Sequence, residues 1–163
     1  MNKLKNIFKV PFEIADILSK SKIIQKLVYN DSPFALEEDL NIDSNILLDE
    51  NYIQIGMPSE SGIENYDHNT MVNINIDNIS IASDSVSGFI LISTADQTLP
   101  LNNNKRRLWE ISAEIEKLLN YKKLSTAGEI NIDSISFVTL STFRGGYAIH
   151  FSFVDQQSRK AEL

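Results

Sequence analysis

Leu108, Ile111, Ile115, Leu118 and Leu119 recur at intervals of three and four residues, which draws one apolar stripe down a helix. Glu110, Glu114, Glu116 and Lys117 take the other faces. A helix of this kind has to bury its stripe. Five aliphatic side chains at roughly 1.5–3 kcal/mol each bring about 10 kcal/mol of gross driving force. Its partner stands just before it: Phe89, Ile90, Leu91 and Ile92 form an unbroken apolar run entered from Gly88, as in a strand covered on both faces. The loop between them, residues 96–104, holds Pro100 and three consecutive asparagines and extends neither neighbour. Residues 88–120 therefore predict a buried strand, a loop and a long helix docked on a sheet.

The rest of the chain supplies partners for that unit. Residues 1–10 alternate lysine with apolar residues and are expected to form a flexible arm. Pro11 suits a first helical position. Ile14, Ile17, Leu18, Ile24, Leu27 and Val28 continue a helical stripe with a break near residues 19–21, and Pro33 ends it. Residues 34–50 are acidic and predict an irregular connection with one short helical turn. Residues 52–56 read as a short strand, and residues 59–69 as a mobile polar loop. From Met71 to Asp77 the alternation puts Val72, Ile74 and Ile76 on one face, and its slip predicts a bulge between Asp77 and Asn78. Residues 83–87 are expected to turn into the buried strand.

After the helix, Ile130, Ile132, Ile135 and Phe137 alternate with a shift at Asp133 and Ser134. Gly145-Gly146 is expected to close a hairpin, since glycine supplies the positive φ of such turns. Tyr147, Ile149, Phe151 and Phe153 mark a half-buried strand, and residues 156–163 a polar tail. The expected fold class is α+β: one domain over residues 1–163, a mostly antiparallel mixed sheet with the long helix packed on one face and the N-terminal helix beside it.

A length of 163 residues suits a single core, and 42% hydrophobic with 23% charged residues is the make-up of an ordinary soluble globular protein. No apolar run approaches the roughly 20 residues that span a bilayer, so no membrane partner is expected. Early lysines and Pro11 speak against a secretory signal. The absence of cysteine excludes disulfides and thiolate metal sites.

The net charge of −7 is unevenly spread. Between Lys26 and Lys105 there is no lysine or arginine, against thirteen acidic residues. The remainder of the chain carries +6. Two readings fit: compositional drift in an asparagine-rich segment, or two surfaces of opposite sign that meet between copies of the chain. Tight duplex nucleic-acid binding is disfavoured at this balance, because neutralising phosphates needs a basic face.

Chemistry is sparse. His68 lies in a loop and His150 on the strand face opposite Tyr147, with no HxH or HxxxH spacing, so no metal is expected. No GxSxG, GxGxxG or GxxxxGK[ST] occurs. Asp49-Glu50 and Glu37-Glu38-Asp39 lack the order and glycine of a calcium loop and read as solvated acidic surface. No cofactor and no catalytic residue follow, and the chain is expected not to be an enzyme. One feature does point to a partner. Lys105, Arg106 and Arg107 open the long helix, where the macrodipole disfavours cations, at a cost of a few tenths of a kcal/mol per charge. Phe143 and Tyr147, flanking Arg144, form a second candidate surface at the hairpin tip, with His150 on the exposed face of the same strand.

The run Ile23-Ile24-Gln25-Lys26-Leu27-Val28-Tyr29-Asn30-Asp31-Ser32-Pro33 belongs to a wider pattern. It is followed by Tyr52-Ile53-Gln54-Ile55, by Arg107-Leu108-Trp109-Glu110-Ile111 opening a helix that ends Leu118-Leu119-Asn120, and by a closing strand from Gly146-Tyr147 to Val154-Asp155. Over residues 20–155 this pattern resembles the tail terminator and neck proteins of long-tailed bacteriophages. It departs from them in lacking an arginine-rich sheet and in the asparagine content of the strand from Val72. The resemblance implies a structural virion protein of the head–tail junction, assembled in the host cytoplasm. Its subunits form a hexameric ring that caps the tail tube and contacts head connector or adaptor proteins, and DNA only passes through the lumen. A head-completion protein on the head side of the neck is the alternative within the same machine. A packaging-associated nuclease is a third class, which would need metal-dependent cleavage involving Asp49 or Glu50.

Overall fold

A computed structural model of the chain describes residues 6–56, 68–80, 83–125 and 127–154. Its helices are α1 (Val10–Lys20), α2 (Lys22–Tyr29), the single turn α3 (Ile46–Asp49) and α4 (Arg107–Leu119). Its strands are β1 (Ile53–Ile55), β2 (Thr70–Ser80), β3 (Ser85–Ala95), β4 (Ile130–Ser141) and β5 (Arg144–Val154). They form one sheet in the order β1-β2-β3-β5-β4. Strand β1 runs parallel to β2, and every other pair is antiparallel. The fold is α+β.

Strand β3 sits in the middle, which is why its sequence is apolar on both faces. Ile90 and Ile92 are buried on one face and Leu91 on the other. The helices pack on one face, α1 over β1 and β2 and α4 over β3, β5 and β4. The stripe of α4 is buried as its spacing predicts, with Leu118 only partly covered. Glu114, assigned to an outer face, is buried and accepts a hydrogen bond from Ser21 Oγ at 2.8 Å. Ser21 is the N-cap of α2, so the break between α1 and α2 is fixed to the long helix.

Cross-strand register organises the helix-bearing face into two apolar rungs that run the width of the sheet. One reads Ile53, Val72, Ile92, Tyr147, Phe137; the other reads Ile55, Ile74, Ile90, Ile149, Ile135. On the opposite face the intervening rung is Gln54, Asn73, Leu91, Ala148, Ser136. The bulge between Ile76 and Asn78 falls where the alternation slips, and so does the one between Ile132 and Ser134. A second bulge in β4, between Thr139 and Ser141, leaves no such trace in the sequence.

Three expectations need correction. The β4–β5 turn is made by Thr142 and Phe143, not by the glycine pair, which lies inside β5. Gly146 is required there by close approach: a Cβ would stand 2.4 Å from the Ile92 carbonyl oxygen. The N-terminal arm is anchored earlier than expected, because Ile7 and Val10 are buried in the core. The strand after the β2–β3 turn already begins at Ser85. Most of the polar loop 59–69 and the whole tail 156–163 lie outside the described residues.

Candidate subunit interface

The basic triplet divides on folding. Arg107 begins α4 with its guanidinium fully buried, donating to four backbone carbonyls. Nε reaches the Thr98 oxygen at 2.8 Å, Nη1 the oxygens of Leu27 and Asn30, and Nη2 that of Ser32 at 2.9 Å. Leu27 lies in the last turn of α2, where carbonyls have no partner within the helix and the dipole favours a cation. The macrodipole cost at the start of α4 is thus offset at the end of α2. Burial pulls the Arg107 pKa below the ordinary guanidinium value, and the nearby Asp31 charge works the other way. Arg107 is a clamp within the chain, and its burial removes it from the predicted interface. Lys105 and Arg106 remain exposed, and Lys105 reaches Glu110 only at 3.9 Å.

The second predicted surface also divides. Arg144 is buried on the helix-free face, donating to Ser93 Oγ at 2.9 Å and to the His68 carbonyl. Its guanidinium is likewise removed from the outer surface. His150, half-buried on that face, tilts over Phe89 with ring centroids 6.1 Å apart. Phe143 projects from the turn, 76% exposed. Tyr147 points to the helix-bearing face, so it and His150 do not share a surface.

What gathers around Tyr147 is an aromatic cluster at the β4 edge. Its hydroxyl accepts a hydrogen bond from Trp109 Nε1 at 2.9 Å, and the Phe137 ring meets it edge-on at 5.6 Å. Trp109 is 59% and Phe137 61% exposed, with Ile135 beside Phe137 on the same strand face. At the opposite edge, Phe12, Ala15, Leu48, Asn51, Ile53, Gln54 and Ile55 line an open groove of about 330 Å³. Phe12 and Ile55 are exposed there. Of these side chains only Tyr147 belongs to the surfaces that the sequence singles out. Trp109 sits just off the stripe of α4, which was the one available sign, whereas the exposure of Phe137 depends on β4 being an edge.

A smaller cluster lies at the base of β2. His68 stacks on Tyr52 at 3.5 Å and contacts the Glu50 carbonyl oxygen through Nε2 at 2.6 Å, while Tyr29 tilts against Tyr52. Burial raises the Tyr52 pKa, reinforced by Tyr29, Glu50 and Asp31. Nearby, hydrogen bonds from Ser32 and Asn30 lower that of Glu38. These contacts close the polypeptide around the Arg107 clamp. Among the described residues no group of three histidine, aspartate or glutamate side chains is placed to hold a metal ion. Nor is any described helix long and apolar enough to cross a membrane. The sequence matches no protein-family profile and no curated protein.

Proposed function

We propose that the chain is a structural virion protein, a tail terminator or neck subunit of a long-tailed phage. Identical copies form a ring, expected to be hexameric, that caps the tail tube and joins it to the head connector while DNA passes through the lumen. The observation that carries the reading is the segregation of charge within the fold. The stretch without cations makes β1, β2, β3 and the acidic connection ahead of them, with Asp43, Asp49 and Glu50 exposed. Lys105, Arg106, Lys122 and Lys123 are exposed at the two ends of α4. On the acidic side Lys20 is paired with Asp16 at 2.7 Å and Lys26 donates to the Leu36 carbonyl, while Lys9 and Lys22 are exposed. Unlike ends favour a head-to-tail contact, the type that closes into rings. The helix-free sheet face supports the lumen: it carries Asn75, Ser87, Asn131, Ser134 and Ser136, and Arg144 is turned inward onto Ser93. Among the described residues no lysine or arginine projects from this face to attract phosphates.

Electron microscopy of the purified protein tests this, with rings around an open lumen as the expected image. Tail tube protein is expected to co-purify. Capture of portal or adaptor protein in its place would assign the chain to head completion instead. A protein monomeric at high concentration and low salt, and still so beside virion components, would sink both readings.

A further inference from the structure

We infer that the seam between copies joins the two open edges of the sheet, β4 of one copy lying against β1 of the next, so that a second copy of this chain fills the groove beside β1. The inference rests on the ring reading above and names its contact. Strand direction comes first. Strands β1, β2 and β5 run one way, β3 and β4 the other. Copies turned about an axis along the strands keep their directions, so β4 meets the neighbouring β1 as an antiparallel pair.

Height agrees with direction. The two apolar rungs end on one face and at matching levels: one in exposed Ile55 on β1 and exposed Ile135 on β4, the other in buried Ile53 on β1 and exposed Phe137 on β4. Joining the edges sets Phe137 beside Ile53, Ile135 beside Ile55, and, on the other face, Ser136 beside Gln54. Strand β1 offers only three residues of ladder, so most of the contact comes from side chains. The cluster of Phe137, Tyr147 and Trp109 faces the groove walled by Phe12, Ala15 and Leu48.

Charge agrees as well. Exposed Asp49 and Glu50 flank the groove, and exposed Lys105 and Arg106 flank Trp109. Residues 134–143 of the β4 edge contain no charge, proline or glycine, three of the devices that keep a bare edge strand from pairing, and the bulge in this stretch, between Thr139 and Ser141, lies outside the 135–137 segment of the seam. Such an edge is built to be covered.

The chain has no cysteine, so Gln54→Cys with Ser136→Cys in one polypeptide reports on this seam alone. Under oxidation the double variant should give a ladder of covalent multiples of 18.4 kDa, and neither single variant should. Dimers from Ser136→Cys alone would mean β4 pairs with itself and would overturn the seam. Phe137→Glu and Ile55→Glu alter exposed side chains, so the fold, checked by circular dichroism, should persist. Each is expected to shift the ring to monomer mass. Their equimolar mixture should give a heterodimer and nothing larger, since one intact β4 edge and one intact β1 edge remain. Wild-type rings unaffected by either substitution would overturn the seam and leave the ring reading standing. A wild-type monomer under every condition would overturn both.

Discussion

Four backbone carbonyls from two separate loops and a helix end converge on the Arg107 guanidinium. With each net hydrogen bond near 1 kcal/mol and buried acceptors left bare on its removal, Arg107→Met is expected to cost about 3–5 kcal/mol. Urea unfolding would measure it. Lysine should recover less than half, because an ammonium lacks the planar fork that reaches four acceptors at once. A misplaced cation in the sequence was the legible sign that something unusual happens at the start of α4. That its acceptors are carbonyls of the same chain was not legible, since backbone groups leave no trace in residue identities. Tyr121 shows the opposite case, a strain without a sequence signal. It follows the C-cap of α4 with φ of 61°, a left-handed position that glycine normally fills. Tyr121→Gly is expected to stabilise the fold by about 1 kcal/mol, read as a rise of a few degrees in Tm.

Among the elements, α4 and β3 were legible because each carries a strong period or an unbroken apolar run, and burial follows directly from both. The β4–β5 hairpin was misplaced because Gly146 serves close packing and neither glycine makes the turn. The two positions can be told apart by mutation. At Gly146 an added methyl meets the rigid Ile92 carbonyl at 2.4 Å, whereas at Gly145 it meets only the rim of the Phe137 ring at 3.3 Å. Gly146→Ala should therefore destabilise by about 2 kcal/mol or more, in the range of overpacked cores. Gly145→Ala should change stability by well under half of that, since an exposed ring can move aside. Equal losses in a thermal melt would contradict the assignment of the two glycines.

Among the described residues, the helices cover one face of the sheet and leave both of its edges unpaired. Sequence patterns gave the fold class and the charge division, but strand order is a long-range property, and with it went knowledge of which strands are edges. The candidate surface changed accordingly, from the basic triplet to an aromatic cluster that only the order β5-β4 exposes. Opposite charges at the two ends should act chiefly on encounter. Raising salt from about 0.05 to 0.5 M is expected to slow ring association roughly tenfold while leaving dissociation nearly unchanged, as light scattering after dilution would follow.

The Arg107 clamp also orders events in time. Its acceptor at Leu27 precedes it by 80 residues. A ribosome adding roughly 5–20 residues per second needs about 4–16 s to travel that distance. Through this interval the opening pair of helices has been made, yet the donor that seals their carboxyl end has not. Newly emerging chains must therefore hold these two helices unfinished until synthesis has passed Arg107.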